Sequence, residues 1–335
     1  MGQLLVGRLR DGMLGIGQDH ELPGPEQWPA ELARVHADFH TCHYADLALR
    51  VPRLIRAGHA LGPASEGDHL DLLEQSYLLA TRMLVKLDEQ QLGWMAADRA
   101  RQAAEAAGHA LAVAEAARNL AVLARRAGWE EQALAIALNA ADDPALRASR
   151  SAAAERGLLI QSAAYSAARD GDREGTRELT DEAAAIAAGL GGTTVLCDHD
   201  GGFSPATVQL HQHLRQVLHR RSLGGPGRPR ALPPQSLPSV ERWARYYADV
   251  AATLAQRGRR DECVRALLAA EDQAPQETHS RPAVRSLISG LLLSGRTTPE
   301  LRALAARRRS SVGQALEPLR STDPTLPRGA AARDR

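Results

Sequence analysis

Residues 113–145 read VAEAARNLAVLARRAGWEEQALAIALNAADDPA. Small or apolar residues recur at Leu120, Ala121 and Ala124, then at Ala133, Ala137 and Ala140. Positions three and four apart share one face of a helix, so the spacing predicts two amphipathic helices packed back to back. Gly128 supplies the corner, where a left-handed backbone costs glycine nothing, and Pro144 closes the unit. Alanine at the contact lets the two helix axes come close.

That layout, small residues at the contact and glycine in the turn, is the layout of a tetratricopeptide-type hairpin. The corners recur in register: Gly128 to Gly171 is 43 residues and Gly171 to Gly258 is 87, about twice as many. Counting back by 43 from Gly128 reaches Val85, beside Asp88, and then Cys42. The predicted fold is all-α, a right-handed superhelix of about six tetratricopeptide-like hairpins (an α-solenoid), with a period nearer the ~40–47 residues of other solenoids than the ~34 of a standard tetratricopeptide. Its helices are expected from Gln27 on, with Leu32, Val35 and Phe39 on one face, then over 45–61, 70–87, 94–107, 152–169, 174–190, 284–294 and 299–308, with a hairpin over 240–275 turning at Gly258, beside the opening pair. Pro52 is expected to kink the second helix or mark a late start.

Residues 1–26 are expected to be irregular, 27–308 to form the repeat domain, and 309–335 to be a disordered tail. An irregular insertion is expected over about 191–239. Its first half, PATVQLHQHLRQVLHRR, reads as a helix, whereas Gly224, Gly225, Pro226 and Pro229 forbid one in the second half. Three readings fit that second half: a flexible insertion, a stretch read out of frame, or a minor-groove hook at Gly227–Arg230.

Composition narrows the function classes. Aromatics make up 3% of the 335 residues, so the core rests on Ala, Leu and Val, which suits close helix packing rather than a β-sandwich. A net charge of +1 with interspersed signs argues against a polyanion-binding molecule. Lys86 is the lone lysine among many arginines, a skew that points to a GC-rich genome. Cys42, Cys197 and Cys263 lie far apart without CxxC spacing, against both a disulfide framework and a zinc module. Neither a signal peptide nor a membrane-spanning stretch is evident, so a cytoplasmic protein without membrane partners is expected.

Candidate chemistry is sparse. His36, His40 and His43 fall at i, i+4 and i+7, a spacing that suits zinc on a continuous helix, but the turn expected near Cys42 would interrupt it. Residues 197–202, CDHDGG, read as ordinary loop chemistry, and Gly191–Gly192 as a helix stop rather than a phosphate cradle. No nucleophile elbow is present. The chain is therefore expected to be neither an enzyme nor a holder of metal or cofactor.

Four blocks carry a family resemblance: residues 77–108, 114–138, 157–187 and 240–292. They resemble the C-terminal tetratricopeptide-like region of Cro/repressor-type helix-turn-helix transcriptional regulators (the XRE family) from GC-rich bacteria. In that family a DNA-binding domain of roughly sixty residues precedes the repeats; here fewer than thirty residues precede the first expected helix. The resemblance implies a regulatory module that binds a protein, peptide or ligand and meets DNA only indirectly. The alternative is a scaffold or adaptor with no transcriptional role. In such arrays the first helix of each pair lines the concave face. By register the groove residues are Tyr77, Thr81, Arg118, Asn119, Arg125, Gln161, Tyr165 and Arg245, a set suited to an acidic protein or peptide. Arg118, Asn119 and Arg125 are expected to be exposed on one wall; the plainer reading is that the set solvates a structural groove.

Overall fold

The computed structural model describes residues 2–16, 22–61, 68–195, 202–210, 237, 239–295 and 297–314. The first half runs α1 (Gly2–Met13), α2 (Trp28–His40), α3 (Tyr44–Leu61), α4 (Asp68–Leu87), α5 (Gln90–Ala107), α6 (Ala110–Arg126) and α7 (Glu130–Ala141). After α8 (Arg150–Asp170) and α9 (Arg173–Gly189), residues 205–210 are the described part of a helix, α10. The chain then continues as α11 (Val240–Gln256), α12 (Arg260–Gln273), α13 (Pro275–Ser280), α14 (Pro282–Leu293) and α15 (Pro299–Gln314). Beyond short 3-10 turns, the other regular pairing among the described residues is one antiparallel bridge, Val195 with Phe203.

Neighbouring helices pack in pairs, α4 on α5, α6 on α7, α8 on α9 and α11 on α12. The first helices also touch one another, α2 on α4, α4 on α6 and α6 on α8, so the four line one common face. The corners sit where the register puts them. Gly128, Gly171 and Gly258 have φ of 82, 88 and 69°. The two earlier corners use Cys42 (φ 62°) and Asp88 (φ 64°), the non-glycine residues of positive φ among those described. Left-handed backbone is costly for a side-chain-bearing residue, so both mark positions that the repeat forces.

Several expectations change. Residues 1–26 are not irregular throughout: α1 buries Leu5, Leu9 and Met13 against α3. α3 neither starts late nor stops at Pro52; it begins at Tyr44 and buries the proline. Gly12 of α1 makes this possible, because a Cβ there would lie 2.7 Å from the Pro52 Cβ. The α6–α7 seam uses Ala121, Ala124, Ala133 and Ala137 as expected, all fully buried. Leu120 and Ala140, expected there too, are only half-buried, and the fully buried Leu123 lies against Gly93 of α5. Within the expected insertion, Phe203 is fully buried against Gly157 of α8, where a Cβ would meet the ring at 2.3 Å. The expected tail begins later than residue 309, since α15 continues to Gln314. Residues 211–236, including the Gly227–Arg230 hook, and 315–335 lie outside the described residues.

The chain also folds back on itself. Ala244 of α11 and Ala274 belong to the same apolar cluster as α1–α5. The Tyr44 hydroxyl donates to Glu277, and the Ala45 N–H donates to Gln276 Oε1 at 3.1 Å. Lys86 of α4 pairs with Glu241 of α11 and, at 3.3 Å, with Glu277 of α13. Helices α11 and α13 thereby close against the N-terminal end of α3 and the C-terminal end of α4.

Candidate functional site: a basic cavity on the common helix face

The closure creates a cavity of ≈ 180 Å³. Its walls come from the C-terminal halves of α2, α4, α6 and α8, and α11 faces them. α6 contributes Arg118, Asn119, Val122, Arg125 and Arg126; α8 contributes Leu158, Gln161, Ser162 and Tyr165. Arg82 and Lys86 enter from α4, Arg242, Arg245, Tyr246 and Asp249 from α11, and Arg281 from beyond α13. Arginines and a lysine thus far outnumber the two lining carboxylates, Glu241 and Asp249.

Most of this charge is fixed by acids behind the wall. Arg82 pairs with Glu115 across α4 and α6, both about 5% exposed. Arg118 Nε reaches Glu155 Oε1 on α8 at 3.3 Å, and its Nη2 lies 3.9 Å from Glu115. Glu241 is buried, yet Lys86 and then Arg281 hold its carboxyl well below the usual range. Arg281 is half-buried at the same junction, and Glu277 and Glu241 raise its pKa against the cost of desolvation. Buried charges persist only when paired in this way.

Arg125 is the exception. Its Nη1 donates to the Ser162 carbonyl at 3.1 Å and to the Ser162 hydroxyl at 3.2 Å, and its guanidinium lies 5.3 Å from the Tyr165 ring centroid. No carboxylate among the described residues pairs with it. Burial lowers its pKa to about 10, opposed by Tyr165 and reinforced by Arg245, so it stays charged at neutral pH. Two amide donors lie nearby: Asn119 Nδ2 and Gln161 Nε2 have no hydrogen-bond partner among the described residues, though the residues are 4% and 6% exposed. A buried, unsatisfied donor costs about 1–3 kcal/mol.

Six of the eight residues expected in the groove therefore meet here: Arg118, Asn119, Arg125, Gln161, Tyr165 and Arg245. They are recessed rather than displayed; Arg245 alone among them is exposed. Tyr77 and Thr81 do not join them. Thr81 is fully buried and donates to the Tyr77 carbonyl at 2.7 Å. Tyr77 lies with His59 and Arg99 at a separate cleft, its hydroxyl 2.7 Å from His59 Nε2. The register explains Thr81: 43 residues on comes Ala124, which is fully buried, whereas the equivalent of Tyr77 is the half-buried Leu120. The same shift carries Arg82 onto Arg125, so the spacing could have found Arg82, which sequence reasoning missed.

A larger cleft, ≈ 830 Å³, opens over the N-terminal halves of the same helices. Trp28, Leu32, Asp71, Glu74, His109 and Glu155 are among its walls, and His109 Nδ1 lies 3.0 Å from Glu74. Acids toward helix N-termini and bases toward C-termini match the helix dipoles, so the common face is acidic at one end and basic at the other. The histidine trio is broken by the Cys42 corner as expected. His43 lies instead with Asp38 and Asp46, their ligand-type atoms within 4.8 Å of one another. Comparison with models of protein families, with curated proteins and with solved structures finds no match to this chain. No helix among the described residues is long and apolar enough to cross a membrane.

Proposed function

We propose that this chain is a tetratricopeptide-like superhelical binding module, acting as the regulatory part of a transcriptional regulator of the Cro/repressor type. Its common helix face receives an acidic protein or peptide partner, whose acidic group enters the basic cavity. The observation that carries the reading is the convergence of Arg118, Asn119, Arg125, Gln161, Tyr165 and Arg245 on one cavity. A surface built only for solubility would place its arginines outward, whereas Arg118 and Arg125 are recessed, and no carboxylate among the described residues pairs with Arg125. Occupancy would bias the closure of α11 and α13 over α4, a two-state element through which binding could be transmitted. Direct DNA contact is not part of the reading, because most of the cavity's cations are recessed and the net charge is +1.

The test is fluorescence anisotropy with fluorescein-labelled hexaglutamate. Binding that weakens with salt, and weakens by about 1–3 kcal/mol on Arg118→Ala or Arg125→Ala, is expected. Equal binding of hexalysine, or indifference to both substitutions, would refute it.

A further inference from the structure

We infer that the group this cavity takes is a phosphate monoester, on a small molecule or on a partner's side chain; the inference rests on the binding-module reading and sharpens it. Three features argue for it. Asn119 Nδ2 and Gln161 Nε2 are buried donors without partners among the described residues, and both line the cavity. Such groups are expensive to keep unless something accepts from them, and in a basic cavity the natural acceptor is an oxyanion. Beside them, Arg125 uses Nη1 on Ser162 and carries a charge that no carboxylate among the described residues balances.

Donors also come from two sides. Asn119, Arg125 and Gln161 stand on the α6–α8 wall, and Arg245 enters from α11. The two oxygens of a planar carboxylate serve one wall well. A tetrahedral phosphate presents oxygens to both walls and carries close to two negative charges at neutral pH. The size agrees: ≈ 180 Å³ exceeds the ~150 Å³ of a cavity that holds benzene, enough for a phosphate but too small for a length of peptide.

Titration calorimetry with O-phosphoserine, a phosphoserine hexapeptide and the same hexapeptide with glutamate in place of phosphoserine tests this. The two phosphate ligands should bind, the glutamate peptide about tenfold more weakly or worse. Arg125→Met should weaken phosphate binding by about tenfold or more, Asn119→Leu and Gln161→Leu by about fivefold each, and Arg177→Ala on the outer helix α9 not at all. Binding of the hexapeptide without free O-phosphoserine would place the phosphate on a partner protein; binding of both would place it on a small molecule. A second readout guards against misfolding. Asn119→Leu and Gln161→Leu should melt no lower than the parent, because each removes an unsatisfied buried donor. The inference is overturned if neither phosphate ligand gives heat at millimolar concentration, or if the glutamate peptide binds as well as its phosphorylated form. Loss of stability in both Leu variants would also overturn it, by showing that the amides serve the fold. Salt-sensitive hexaglutamate binding without phosphate binding would leave the groove reading standing; failure of both would remove both.

Discussion

At the scale of single residues, charge is arranged by what lies behind each group. Glu74 is buried, which raises its pKa, while His109 pulls it back down. His109 sits above its ordinary value, chiefly through its hydrogen bond to Glu74. A raised histidine stabilises the fold fully below its unfolded pKa, about 6.5, and that contribution is lost as pH rises through the folded value. His109 is substantially exposed, so the stability at stake is small, and the titration itself is the readout. In an NMR titration the His109 imidazole should lose its proton above the ordinary range, and Glu74→Gln should bring it down. An unchanged midpoint in that variant would show that the pair is not formed. The sequence offered no route to this pair, because Glu74 and His109 lie 35 positions apart, on different helices.

At the scale of elements, the helices and corners were legible, and the reasons are local. Gly128, Gly171 and Gly258 announce their corners by composition. Cys42 announces its corner only through the 43-residue register, since cysteine does not favour positive φ, whereas Asp88 is of a type that tolerates it. α1 was missed although Leu5, Leu9 and Met13 follow helical spacing, because Gly2, Gly7, Gly12 and Gly15 mask it; glycine costs a helix about 1 kcal/mol. Their roles differ. Gly12 lies against Pro52, so Gly12→Val should cost about 1–3 kcal/mol through overpacking. Gly7 has open space around it, and Gly7→Ala should stabilise by about 0.5–1 kcal/mol. Thermal melts of the two variants check the α1–α3 contact; opposite signs are expected, and equal shifts would contradict it. Thr81 failed as a groove residue for a reason visible in the same register, since its equivalent Ala124 is fully buried; Tyr77 failed because it turns to His59 and Arg99, which the register does not show.

At the scale of the whole molecule, the feature that sequence could not reveal is closure. Nothing in the periodicity says that α11 and α13 return to α4, because the residues that join them are more than 150 positions apart. The junction is a buried network in which Lys86 answers both Glu241 and Glu277, the latter fully buried. Lys86→Met would leave those two carboxylates with Arg281, and Glu241 with the more distant field of Arg245. It should cost about 3–5 kcal/mol, as breaking a buried pair does. Lys86→Arg, which keeps the charge, should cost less, and equal melting of the two variants would argue that the network contributes no closure energy. The same junction shapes the cavity, so the fold and the proposed binding are joined through it. Hydrogen–deuterium exchange with saturating hexaglutamate addresses that account most directly. Protection should appear across residues 118–126 and 158–166 and at the start of α11, with α5, α7 and α9 unchanged; protection confined to those outer helices, or none anywhere, would contradict a binding groove on the common helix face.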